Sequence, residues 1–152
     1  MGWVENLYDH TVALDTAPLI AFIAKEEPYL ALVRPLFQAI DQGKIHAVTS
    51  TVTLIEVLVR PLREKDEALA AQYQEILTRA EHLTTLPLSE TVALQAAELR
   101  ATLNLRTPDA IQVATALIGG ADTLITNDKR LRVPPRLTRL TLDELLNPTS
   151  ST

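Results

Sequence analysis

The sequence predicts a parallel α/β domain, and three observations carry that prediction. Short apolar runs alternate along the chain with longer stretches of helical periodicity, acids stand at or just beyond the ends of two of those runs, and no linker divides the chain. At 152 residues and 47% hydrophobic content, one proper core is expected. No apolar run is long enough to span a bilayer, and no basic-then-apolar leader opens the chain, so the expectation is a cytoplasmic protein without a membrane partner. The absence of cysteine excludes a disulfide framework and a thiolate metal site.

The formal net charge of -5 speaks against a nucleic-acid partner until the charge is located. Five of the 14 basic residues lie between Lys129 and Arg139. Setting aside a few acids as metal ligands leaves the remaining charges nearly balanced, so net charge decides little.

Residues 1–10, mixed and polar with Trp3 and Tyr8 among them, read as a lead-in. The run Thr11-Val12-Ala13-Leu14 reads as a buried strand ending on Asp15, with Thr16 capping a short helix over residues 19–25. Pro28 opens a helix to about residue 41 with Pro35 inside it, and residues 45–49 form a second strand. Ser50 or Thr51 caps an apolar helix that contains Glu56, an acid that must hold a cation or reach water. Pro61 is expected to start a long solvated helix to about residue 82, followed by a strand at 83–86. Ser89 and Glu90 start another amphipathic helix, carrying Val92, Leu94, Ala97, Leu99 and Leu103. Thr107 caps the next helix, with Pro108 at its first position and Asp109 in its first turn; Gly119-Gly120 stops it. Residues 123–126 form a fourth strand ending in Asn127-Asp128, and residues 137–142 an edge strand before a brief helix at 143–146.

In a parallel sheet the carboxyl ends of strands and the amino ends of the following helices face one side. Asp15, Asp109 and Asp128 can therefore converge, and Glu56, early in its helix, can reach them. Clustered carboxylates repel unless a cation intervenes, and an all-oxygen set suits Mg²⁺ or Mn²⁺. Phosphodiester hydrolysis is the chemistry such a site does best. His10, His46 and His82 lie outside the constellation, and no Walker-type loop, Gly-x-Ser-x-Gly or dinucleotide fingerprint occurs.

Four segments carry a resemblance: Val12-Ala13-Leu14-Asp15-Thr16; Thr53-Leu54-Ile55-Glu56-Val57-Leu58; Arg106 through Ala114 around Pro108-Asp109; and Leu124-Ile125-Thr126-Asn127-Asp128. In this order and spacing, over roughly residues 11–142, the chain resembles PIN-domain ribonucleases, most closely the VapC-type toxins of type II toxin–antitoxin pairs. The resemblance implies a three-layer α/β/α fold with a central parallel sheet of four to five strands. The chain's length and end composition predict one domain over residues 1–146 with a flexible tail at 147–152. The resemblance further implies Mg²⁺ or Mn²⁺ held by Asp15, Glu56, Asp109 and Asp128, with Thr16 and Thr126 supporting the ligands. Expected partners are an RNA substrate, a small cognate antitoxin and a second copy of the chain in a homodimer. Arg106, Lys129 and Arg130 are candidate phosphate contacts. Ala17-Pro18 departs from the family, which often has a small polar residue after the Asp-Thr pair. A non-catalytic PIN-fold module that binds RNA or protein, and a metal-dependent DNA nuclease, are the alternative readings.

Overall fold

Val12 and Leu14 pack on one side of the strand β1 (Thr11–Leu14) and Ala13 on the other, and all three are buried. That is what an apolar run covered on both faces requires. The computed structural model, which describes residues 2–148, places β1 in the middle of a five-stranded sheet with order β3-β2-β1-β4-β5. The others are β2 (His46–Ser50), β3 (Leu83–Leu86), β4 (Thr123–Thr126) and β5 (Thr138–Thr141), and every pairing is parallel. On one face Val12, Leu14, Ala47 and Ile125 pack against α1 (Thr16–Ile23), α2 (Tyr29–Asp41) and α4 (Glu67–Arg79). On the other, Ala13, Val48 and Leu124 meet α5 (Glu90–Leu103) and α6 (Thr107–Ile118). The result is the expected three-layer α/β/α arrangement. The helix α3 (Thr51–Arg63) follows β2, and α7 (Leu142–Leu146) follows β5.

Several local expectations change. The lead-in joins the core: Val4 and Leu7 are buried around a 3-10 turn at Glu5–Leu7. Pro61 does not start a helix. It lies inside α3, which continues to Arg63, and the chain turns through Lys65 at φ 58° before Asp66 caps α4 by accepting from Leu69 N at 3.1 Å. A side-chain acceptor for the free N–H groups of α4 outweighs the tolerance of a helix start for proline. On α5, Val92, Ala96 and Leu99 make the buried face, while Leu94 is 65% exposed. Of the expected tail, residues 149–152 lie outside the described residues, and Asn147 N donates to Asp143 O at 3.0 Å.

The strand order defines where a site can form. The chain steps from β1 outward to β2 and β3, then returns to the other side of β1 for β4 and β5. Connections therefore leave the carboxyl ends of β1 and β4 in opposite directions and open a crevice between them, the usual ligand position in such sheets.

Candidate metal centre

Asp15 stands at the carboxyl end of β1, in that crevice. Its backbone N donates to Ile125 O at 3.2 Å, and its own side chain caps α1 by accepting from Ala17 N at 3.1 Å. The cap is thus Asp15, and Thr16, expected in that role, is the first helical residue. The other oxygen of Asp15 accepts the hydroxyl hydrogen of Thr126, the fully buried last residue of β4. Burial pushes the Asp15 carboxyl up to about 6. The bonds from Thr126 and Ala17 oppose that rise, and the charges of Glu56 and Asp128 add to it.

Asp128 belongs to the turn that follows β4. Its N donates to Thr126 Oγ1 at 3.1 Å, and its Oδ1 accepts from Arg130 N at 2.9 Å. Thr126 therefore joins Asp15 to the Asp128 turn through one hydroxyl. Asn127, which sequence reasoning did not single out, braces the same turn: its Oδ1 accepts from Asp143 N at 3.0 Å at the start of α7. Glu56 is exposed in the second turn of α3, so the acid within that apolar helix reaches water.

Asp109 sits in the first turn of α6 with its side chain 28% exposed, 3.4 Å from Arg106 Nε. Thr107 is not the cap of this helix. Arg106 holds the cap position without a side-chain bond, and Thr107 Oγ1 accepts from Arg100 Nη1 at 2.9 Å, while Arg100 Nε donates to Leu105 O at 2.9 Å. Arg100 thereby secures the turn between α5 and α6 that aims Asp109.

Asp109 and Asp128 line one cleft of about 460 Å³ together with Arg106, Arg130 and Arg132. Arg132 was not among the sequence candidates, though its place in the basic run 129–139 was the available signal. Lys129 lines a separate cavity of about 430 Å³ with Asn127 and Arg139. Among the described residues, no group of three acid, histidine or cysteine side chains is set closely enough to hold a metal ion. The charges of Glu56 and Asp128 bear on Asp15, while Asp109 and Asp128 each turn to a local donor. The donor chemistry fits a hard cation: oxygen ligands only, with Asp15 driven up by burial and by acids around it.

The histidines take no part. His10 Nδ1 lies 2.6 Å from Asp122 Oδ2, just before β1 and β4 begin, at the end of the sheet opposite Asp15. Burial pushes Asp122 up, but the bonds from His10 and Thr123 outweigh it and hold its carboxyl below the ordinary range.

The PIN domain family model matches residues 12–137, and the chain belongs to that family. Solved structures similar to it in fold include VapBC toxin–antitoxin complexes. VapBC2 of Rickettsia felis, bound to a DNA fragment from its promoter, is 19% identical with a TM-score of 0.67, over 86% of this chain and 98% of that one. A toxin–antitoxin complex from Klebsiella pneumoniae is 23% identical, TM-score 0.61, over 86% and 97%. VapC20 of Mycobacterium tuberculosis, described as a sarcin–ricin loop cleaving toxin, is 15% identical, TM-score 0.60, over 74% and 86%. No curated protein sequence matches the chain.

Proposed function

We propose that this protein is a metal-dependent endoribonuclease, the toxin of a type II toxin–antitoxin pair, and that Asp15, Glu56, Asp109 and Asp128 hold Mg²⁺ or Mn²⁺. The observation that carries the reading is Asp15: a carboxylate in the crevice of the sheet, raised to about 6 by burial and by Glu56 and Asp128. A fold that keeps acids together at such a cost has a use for a cation there. When bound, the cation neutralises the carboxylates and draws charge from the scissile phosphodiester.

The chain's own residues do the rest. The Thr126 hydroxyl and the Ala17 N–H each occupy one Asp15 oxygen and fix the carboxylate plane. At pH 7 Asp15 is largely ionised, since its pKa of about 6 lies below that pH. Asp128, exposed at the rim, either completes the ligand set or positions the attacking water. Arg106 and Arg130 meet phosphates from the cleft, and Lys129 meets them from the adjoining cavity.

Two surfaces suit the partners. An apolar groove lined by Phe22, Phe37, Ile40, Ile76 and Leu83, between α1, α2 and α4, offers a seat for the amphipathic segment of an antitoxin. Ile55, Val59 and Leu62, exposed at helical spacing along α3, offer a homodimer contact. We read residues 1–146 as one domain acting in the cytoplasm on RNA; no helix among the described residues is long and apolar enough to cross a membrane.

The test is cleavage of matched RNA and DNA oligonucleotides by purified wild type, Asp15→Asn and Asp109→Asn with Mn²⁺ or EDTA. RNA cleavage lost in both variants and in EDTA is expected. Undiminished cleavage by either folded variant overturns the reading, and preferential cutting of DNA overturns its RNA part.

A further inference from the structure

The core beneath the site contains a chain of polar side chains where apolar ones would pack more cheaply. Thr49 in β2, Thr53 in α3 and Gln112 in α6 are all buried. Gln112 Nε2 donates to Thr53 Oγ1 at 2.8 Å, the Thr49 and Thr53 hydroxyls are 2.9 Å apart, and Thr49 Oγ1 donates to Leu14 O at 2.6 Å. Each hydroxyl has one hydrogen, so only one direction satisfies all three contacts: Gln112 to Thr53, Thr53 to Thr49, Thr49 to Leu14 O.

Three members of this chain lie near a proposed ligand in sequence. Leu14 immediately precedes Asp15. Thr53 lies three residues before Glu56 on α3, and Gln112 three residues after Asp109 on α6, so in each pair a buried relay residue sits about one turn from a more exposed acid on the same helix. The β1–β2 register runs to Ala13 and Val48, and just beyond it Thr49 donates to the Leu14 carbonyl. Three elements that meet the crevice from different directions are thus tied to one another by directional bonds, which set spacing more sharply than apolar contact does.

We propose that the buried relay Gln112–Thr53–Thr49–Leu14 O is the device that sets the mutual spacing of Asp15, Glu56 and Asp109, with Gln112 and Thr53 as positioning residues for the cation they share. The inference rests on the metal-site reading above. It has a built-in control. Thr115, one turn beyond Gln112 on α6, is equally buried, and its hydroxyl has no partner among the described residues. Thr115→Val makes the same chemical change as Thr53→Val in the same core without touching the relay.

The experiment is Mn²⁺ titration by calorimetry of the full chain, paired with RNA-cleavage kinetics, for wild type, Thr53→Val, Thr53→Ser, Gln112→Met and Thr115→Val, each checked for folding by circular dichroism. Thr53→Val and Gln112→Met are expected to weaken Mn²⁺ binding by about tenfold or more, the usual effect of removing a group that orients metal ligands. The kinetic loss should fall on kcat with KM for RNA unchanged. Thr53→Ser, which keeps the hydroxyl, should restore both, and Thr115→Val should bind Mn²⁺ as wild type does. Wild-type affinity in Thr53→Val and Gln112→Met, failure of Thr53→Ser to rescue, or an equal loss in Thr115→Val overturns the positioning role while leaving the metal site standing. Absence of any Asp15-dependent heat in wild type overturns the metal site and the relay's role with it. Should Thr53→Val not fold, Gln112→Met and Thr53→Ser decide the matter.

Discussion

Asp15→Asn should make the metal-free protein more stable at neutral pH while abolishing its activity. In the unfolded chain Asp15 titrates near 3.8, in the fold at about 6. The folded state therefore binds more protons between those values, and stability falls as pH rises through that window. Above it the penalty is complete. A rise of this size corresponds to about 3 kcal/mol at 1.36 kcal/mol per unit. Asparagine removes the charge but cannot serve both Ala17 N and the Thr126 hydroxyl as acceptors, which returns about 1 kcal/mol. The net gain is about 2 kcal/mol, or roughly 4–8 °C in melting temperature for a domain of this size. Thermal melts in EDTA at a series of pH values measure it. The gain should be absent near pH 4, grow to about pH 7 and then level off. Adding Mn²⁺ should stabilise wild type but not the variant. A destabilised variant in EDTA above pH 7, or a gain that does not change with pH, would refute the argument that burial and like charge strain this carboxylate.

Two further outcomes follow from the cleft and the core. Arg130→Gln and Arg132→Gln should each weaken RNA binding and lower the slope of log affinity against log salt by about 0.7, the value for one phosphate contact on a single strand; filter binding across a salt series reads both. Leu124→Ala, at a fully buried position in β4, should cost about 2–5 kcal/mol by urea denaturation, because the sheet is covered on both faces and cannot collapse onto the space.

The central strands were legible because each is a short, largely apolar run bounded by turn residues, and β1 and β4 fall where those runs do. The break at Pro61 was misplaced because proline signals both a helix start and a helix end, and only the Asp66 cap with Lys65 at positive φ decides which. Glu56 stood out as an acid in an apolar helix, yet its exposure depends on which face of α3 meets the core. Arg132 was missed, and Lys129 separated from Arg130, since a basic run says nothing about which cavity each side chain enters. The Gln112–Thr53–Thr49 relay was out of reach for the same reason: its members are 59 and 4 residues apart, and no local pattern links them.

By itself the sequence determined the alternation of strands and helices, the parallel sheet, and the placement of acids at strand ends and helix starts. These follow from local periodicity and turn chemistry, which a chain carries wherever it is. Tertiary structure alone decided the strand order that opens a crevice between β1 and β4. It also decided the burial that drives Asp15 up to about 6 and the single Thr126 hydroxyl that joins Asp15 to the Asp128 turn. Those depend on distance and solvent exclusion between residues more than a hundred positions apart, quantities that exist only once the sheet has closed.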